Sequence, residues 1–289
     1  MKDVFFVILN LNNLDVIKPL YESLIKHDDY PKNLVFIDNG SHQDNSRAYL
    51  RSICENNIYN HYIQLPHNVG TTRAWNIGIK YIRENCVNAG YIGFINSDMF
   101  VEANWLKPMM DIFELNINNP GMVSNQLRDQ AFFPSIQHDG PDFKKPFEFR
   151  MGIEGSQIIP YKKSLQVEYG HLGCTVFKKE VFDTVGLFDE NMFVYSSDFD
   201  IQIRLKMAGY SIWHCPESIA RHRTSHTCRE VKKDSVIKKI CDEDGDYFFN
   251  KWGLETLDRF ENYLNYWDCN EGFLKSEYNE DPKRIEVII

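Results

Sequence analysis

Polar side chains that bind sugars, phosphates and cations recur where short apolar runs stop. Asn10 and Asn12 follow the run at 4–9, Asp38-Asn39-Gly40-Ser41 follows the run at 34–37, and Asn96-Ser97-Asp98 follows the run at 91–95. An ionised Asp38 is an acceptor-only group, suited to ribose hydroxyls or a base N–H. Asp98 suits a hard divalent cation, which takes oxygen ligands and binds through one or two carboxylates plus substrate phosphates. Turn-making competes at each cluster, with Asp38 in an Asx turn and Asp98 as a cap before a helix over 105–115. Asn39-Gly40-Ser41 also spells a glycosylation acceptor, discounted because it falls in the expected pocket.

The elements that must position these groups can be read from periodicity. Runs of this length suit strands buried on both faces of a parallel sheet. Leu14, Ile17, Leu20, Tyr21, Leu24 and Ile25 recur at helical spacing, a second helix is expected after Asp44, and a third over 72–84. Repeated β-α-β predicts an open, doubly wound α/β sheet, in which ligands sit outside the carboxyl ends of the strands. The three clusters should therefore meet at one crevice. Neither G-x-x-x-x-G-K-[S/T] nor a G-x-G-x-x-G after a strand is present, so phosphate charge needs another partner. A metal at Asp98 together with Arg73 would serve, and Arg73 lies near the start of the third helix, whose free N–H groups favour anions.

A second constellation spans 169–228. The small-residue stretch Tyr169-Gly170-His171-Leu172-Gly173-Cys174 precedes a strand at 175–177 and a helix over 179–185. After the turn at 186–190, Ser196-Ser197-Asp198 opens a helix through Met207. Asp198 in its first turn is either a cap or a general base. Asp200 lies four residues before Arg204, which favours an ion pair. His222 follows a short strand at 216–220 and could complete a metal site with Asp98 through a neutral imidazole nitrogen. A zinc site from His222, His226, Cys215 and Cys228 fits no standard spacing.

Composition narrows the partners. The chain of 289 residues has a net charge of −9, which repels nucleic-acid backbones, so nucleic acid is not expected as a partner. No apolar run approaches the length of a membrane span, and VFFVIL at 4–9 is too short for a secretory signal. Seven scattered cysteines without a C-x-x-C pair fit a reducing compartment, so a cytoplasmic, soluble or peripheral protein is expected. The proline- and aromatic-rich stretch 126–168 is either an acceptor-binding lid or a satellite core. Beyond Cys228 two helices are expected, over 230–239 and 247–253, then a tail to 289 that packs on the catalytic domain or a second subunit.

The ordered series VILNLNN, VFIDNGS, HNVGTTRAWNIGI, FINSDMFVEANWL, GCTVFKKEVFDTVGLFDENMFVYSSDFDIQIRLKMAGY and FFNKWG resembles the family 2 glycosyltransferases, especially the rhamnosyltransferase-like branch. The resemblance covers nearly all of 4–253. It implies the GT-A nucleotide-diphospho-sugar transferase fold: a mostly parallel, Rossmann-like sheet flanked by helices, with a C-terminal helical extension. The catalytic domain would be 1–228, its nucleotide-binding half about 1–100 and its acceptor-side half 101–228, with the extension at 229–289.

On that resemblance, Asn12 and Asp38 would hold the base and ribose, Asn68, Gly70, Arg73 and Asn76 would flank the nucleotide and diphosphate, and Asn10, Asn96 and Ser97 would also bind the nucleotide-sugar. Asn96-Ser97-Asp98 is similar to the family's metal triplet in reduced form, with Asp98 and His222 on Mn²⁺ or Mg²⁺. Asp198 falls at the catalytic base. The acidic partner before it is Ser197 here, and without a neighbouring like charge Asp198 is expected to have a lower pKa and be a weaker base. Asp189 or Glu190 could substitute. The implied reaction is inverting transfer from a UDP-, dTDP- or GDP-sugar to a glycan or other hydroxyl acceptor. A sugar nucleotidyltransferase would need a Gly-rich basic signature near the first strand, which is missing. A non-catalytic sugar-nucleotide or glycan-binding protein is the other alternative, motivated by Ser197.

Overall fold

The structure is a computed structural model that describes residues 2–129, 136–138, 164–167, 169–222 and 235–253. Its strands are β1 (Asp3–Asn10), β2 (Lys32–Asp38), β3 (Asn60–Gln64), β4 (Ala89–Ile95), β5 (Met99–Val101), β6 (Pro120–Asp129), β7 (Ile136–His138), β8 (Leu165–Val167), β9 (Cys174–Lys178) and β10 (Ser211–His222). The helices are α1 (Leu14–Lys26), α2 (Ser46–Glu55), α3 (Thr71–Asn85), α4 (Lys107–Leu115), α5 (Lys179–Thr184), α6 (Ser197–Met207) and α7 (Ser235–Trp252). The aromatic-rich stretch between β7 and β8, His226, Cys228 and the tail after 253 lie outside the described residues.

One sheet runs β3-β2-β1-β4-β9-β6-β10-β5, with β7 on β6 and β8 on β10. β3, β2, β1 and β4 are mutually parallel, as the βαβ reading requires. β9 then inserts antiparallel between β4 and β6, so the sheet is mixed at its centre and continuous across residue 100. β1 is central, and Val4, Phe6, Val7 and Ile8 are all fully buried, which explains an apolar run without alternation. One face packs Ile17, Leu20, Trp105 and Met109 over Phe6, whose ring lies 5.2 Å from that of Trp105. The other packs Trp75, Ile79, Phe182 and Phe188 around Phe94.

Two expected elements differ. β10 continues from Ser211 to His222, more than twice the length of the expected 216–220, because Ile212, Trp213 and Cys215 are buried before the irregularity at Cys215/Ile219. The two expected C-terminal helices are a single one, α7. Its apolar and polar anchors Cys241, Asp244 and Phe248 fall at helical spacing and are all buried, so the acidic run 242–246 continues the helix.

Candidate functional site

The parallel strands deliver their polar ends to one edge. Asn10 and Asp38 are register partners at the ends of β1 and β2. Ser41 binds both strands: its amide donates 2.8 Å to Asp38 Oδ1, its Oγ accepts from Asn10 Nδ2 at 3.2 Å, and the Asn12 amide donates to that same Oγ at 2.9 Å. Asn12 Oδ1 accepts the His42 and Gln43 amides at 2.8 and 2.9 Å. Asp38 is fully buried, and its second oxygen accepts Arg47 Nε at 2.8 Å. The Asx turn weighed for Asp38 is therefore present, and its charge is balanced by α2. The glycosylation triplet is sealed, with Asn39 and Ser41 both buried.

The next corner is built on Asn39, which reaches across to the β3–α3 connection. Its Nδ2 donates to Asn68 Oδ1 at 2.9 Å, and its Oδ1 accepts the Val69 amide at 3.0 Å. Gly70 follows at φ 86, with the Phe193 ring so close that a Cβ would approach Phe193 Cδ2 to 2.7 Å. Gly70→Ala is therefore expected to cost about 1–3 kcal/mol through backbone strain alone. A thermal melt checks this, and an unchanged Tm would contradict the packing.

The anion site expected at the start of α3 is partly closed. The Phe193 carbonyl accepts the Thr71 amide at 2.9 Å and the Thr72 amide at 3.3 Å, so these two N–H groups are not free for phosphate. Arg73 is exposed, and its Nε lies 3.6 Å from Glu190 Oε2. Asn76 is buried; it donates to the Phe188 carbonyl at 2.8 Å and to Glu190 Oε1 at 3.0 Å. It thus fixes the turn after α5.

Asp98 and His222 converge from 124 residues apart, Asp98 Oδ2 lying 3.1 Å from His222 Nε2. The cause is local: Asn96 to Met99 form a turn after β4, and antiparallel pairing of β5 with β10 sets His222 opposite Met99. Both side chains are about one-fifth exposed. Two ligands on adjacent positions of an octahedral ion, each at about 2.1 Å, lie roughly 3 Å apart, so this spacing fits a shared cation. Among the described residues no group of three His, Cys, Asp or Glu forms a metal cluster. The pair would thus need oxygen from a bound phosphate and water to fill a coordination shell. Asn96 and Ser97 supply the turn, and the Asn96 amide donates to the Gly173 carbonyl at 2.9 Å.

That bond links the Asp98 turn to the stretch 169–173, which in turn reaches Asp198. Gly170 N donates 2.7 Å to the buried Gln202 Oε1, and the Tyr169 hydroxyl donates to Asp198 Oδ2. Asp198 is only partly exposed in the first turn of α6. Its carboxyl is pushed above the ordinary value by burial, which hydrogen bonds from Tyr169 and the Phe199 amide only partly offset. This reverses the low pKa expected from Ser197: desolvation supplies what a second carboxylate would have supplied. Ser197 is itself buried and accepts from Thr72 Oγ1 at 3.1 Å.

The two substitute bases are engaged elsewhere. Burial alone would raise the Asp189 carboxyl, but Lys251 and Asn191 hold it down to about 2. Glu190 faces Arg73, Lys80 and Asn76. The Asp200–Arg204 ion pair is present, with Nη2 at 2.7 Å. Cys215 is fully buried with its thiol pushed up to about 12, a poor zinc ligand.

Arg47 and Gln202 touch candidate site residues without having been singled out by spacing, and Tyr169 was named only as part of a small-residue stretch. The one usable signal was charge: a buried Asp38 demands a cation, and Arg47 lies in the first turn of the next helix.

Comparison with known proteins places this geometry. The profile described as Glycosyl transferase family 2 matches residues 5–186. The chain is 26% identical over 243 residues to the rhamnosyltransferase WbbL of Escherichia coli strain K12, covering 78% of this chain and 85% of the relative. It is 22% identical over 224 residues to a low-salt glycan biosynthesis hexosyltransferase of Haloferax volcanii, covering 77% and 67%. Among solved structures it is similar to GalNAc-T7 with UDP, GalNAc and Mn²⁺, at TM-score 0.63 and 15% identity over 98% of this chain and 58% of that one. It is also similar to S. aureus TarS 1–349 in complex with UDP-GlcNAc, at TM-score 0.57 and 15% identity, covering 78% of this chain and 60% of that one. The fold is thus the GT-A fold, and the chain belongs to glycosyl transferase family 2, a family of glycosyltransferases.

Proposed function

We propose that the chain is an inverting, divalent-metal-dependent glycosyltransferase that moves a hexosyl or deoxyhexosyl group from a nucleoside-diphosphate sugar to a hydroxyl acceptor. The observation that carries this reading is the chain of contacts from the Asp98–His222 pair, through the Asn96–Gly173 bond, to Tyr169 and Asp198. It links a pair suited to a cation with a largely buried carboxyl group, which supports reading the two as parts of one site. The names of the relatives support a sugar donor, and the Mn²⁺ and UDP bound in a neighbour of the same fold support the metal and the nucleotide.

Asp98 and His222 would hold Mn²⁺ or Mg²⁺, which supplies Lewis-acid stabilisation of the charge on the departing nucleoside diphosphate. Asn10, Asn12 and Asp38 shape the base and ribose pocket, while Asn68, Gly70, Arg73 and Asn76 form the diphosphate-flanking corner. Asp198 removes the acceptor's hydroxyl proton as that oxygen attacks the anomeric carbon opposite the leaving phosphate. The bond to phosphate breaks as the new glycosidic bond forms, so one displacement inverts the configuration. Residues 1–228 would be the catalytic domain, and the extension after it packs α7 against that domain.

Proton removal requires ionised Asp198, so kcat must fall as pH drops through its pKa. Because burial raises that pKa above the ordinary value, the acid limb of the kcat profile is expected at higher pH than an aspartate in the usual carboxylate range would give. A profile flat down to that range would contradict the assignment.

The general test is a donor panel of UDP-glucose, UDP-N-acetylglucosamine, dTDP-rhamnose and GDP-mannose, each with Mn²⁺, read as release of nucleoside diphosphate. Release from at least one donor, stopped by EDTA, is expected. Saturable binding without release from any would favour the non-catalytic alternative.

A further inference from the structure

The segment 189–197 that delivers Asp198 is held by one helix from the far end of the chain. Asp244 of α7 is buried and accepts three successive main-chain N–H groups, Phe193 at 2.7 Å and Val194 and Tyr195 at 2.8 Å. A carboxylate receiving several N–H groups makes strong, directional bonds. Two turns on, Lys251 Nζ joins Asp189 at 2.7 Å to Asp200 at 2.6 Å. Tyr247 donates to Asp189 at 3.0 Å, and Trp252 Nε1 donates to Asp200 at 3.1 Å. Phe248 closes a small core with Tyr169, Met192, Phe199 and Ile203.

Backbone strain gives an independent sign of what this clamp holds. Ser196 is a non-glycine residue at φ 63, two residues before Asp198. Such conformations persist where the surroundings over-determine them. Here the Tyr195 amide is fixed by Asp244 on one side, and Ser197 by Thr72 on the other. The same segment reaches the donor corner, since Phe193 covers Gly70 and caps the first turn of α3.

We propose that α7 is a positioning element of the transfer site: Asp244 and Lys251 hold 189–200 so that Asp198 is presented, desolvated, against Tyr169. This rests on the reading of Asp198 as base. Tyr169 donates to the Asp198 carboxyl, while Gln202 on the same helix donates to the Asp198 main-chain carbonyl. The charges of Asp244, Lys251, Asp189, Asp200 and Arg204 act on the segment around it. Loosening the clamp admits water to Asp198 and returns its pKa toward the ordinary value.

The experiment compares Asp244→Asn, Lys251→Met, Lys251→Arg and Asp198→Asn, using the panel donor that turns over. It reads the kcat–pH profile and amide exchange over 189–199. Asp244→Asn and Lys251→Met are expected to lower kcat about tenfold or more, shift the acid limb to lower pH and speed exchange, while Lys251→Arg restores all three. A lowered kcat with an unmoved acid limb would mean scaffolding alone and would overturn the proposal, as would fast exchange with unchanged kcat. Should Asp244→Asn fail to fold, Lys251→Met at the helix end carries the same readouts. Full transfer by Asp198→Asn would instead remove the base reading underneath.

Discussion

Asp98→Ala is expected to abolish cation-dependent donor binding and to lower transfer by about a thousandfold or more, the size that follows when roughly 4 kcal/mol of transition-state charge stabilisation is lost. Asp98 is the carboxylate seen against His222, and an imidazole alone is a poor site for a hard ion. The turn at Asn96–Met99 is held by main-chain bonds, so the substitution leaves that turn in shape. Titration of the donor with and without Mn²⁺, followed calorimetrically, checks this. Donor affinity that still rises with Mn²⁺ in Asp98→Ala would place the ion elsewhere.

Asp198→Asn is expected to separate the two effects: donor binding stays, while transfer falls by about 10²- to 10⁴-fold, the range for removal of a general base. The variant also carries a stability signature. Burial raises the folded-state pKa of Asp198, so its favourable contribution is present below the unfolded pKa and is lost as pH rises through the folded one. At neutral pH the ionised carboxylate is a cost that an amide avoids, and Asn can still accept from Tyr169. The Tm of Asp198→Asn should therefore exceed that of the native chain at pH 7, with the gain shrinking as pH falls toward 4. Loss of both transfer and stability at pH 7 would mean that Asp198 is structural.

The framework of this site was legible because it rests on local rules. Apolar runs ending in Asn, Asp and Ser marked three parallel strands, and the βαβ order placed their ends on one edge. The Asp200–Arg204 pair followed from helical spacing alone. β3 escaped notice because NHYIQ has no apolar run and only Asn60 is buried. Asp198's environment was misjudged because its main influences, burial and Tyr169, come from tertiary packing rather than from the neighbouring Ser197. The start of α3 looked open in sequence, yet a carbonyl 122 positions further on from Thr71 fills it. Clamping by α7 was equally hidden, since Asp244 falls between the two expected helices and only tertiary packing brings 193–195 to it and Asp189 to Lys251.

The central claim is that Asp98 and His222 share one cation with the donor's diphosphate. Pulsed EPR of Mn²⁺ bound to the protein with UDP measures this directly through nuclear couplings. Both ³¹P coupling from the diphosphate and ¹⁴N coupling from an imidazole are expected on the same ion, with the nitrogen signal lost in His222→Ala. Mn²⁺ that shows phosphorus but no protein nitrogen, or a nitrogen signal that survives His222→Ala, would contradict it.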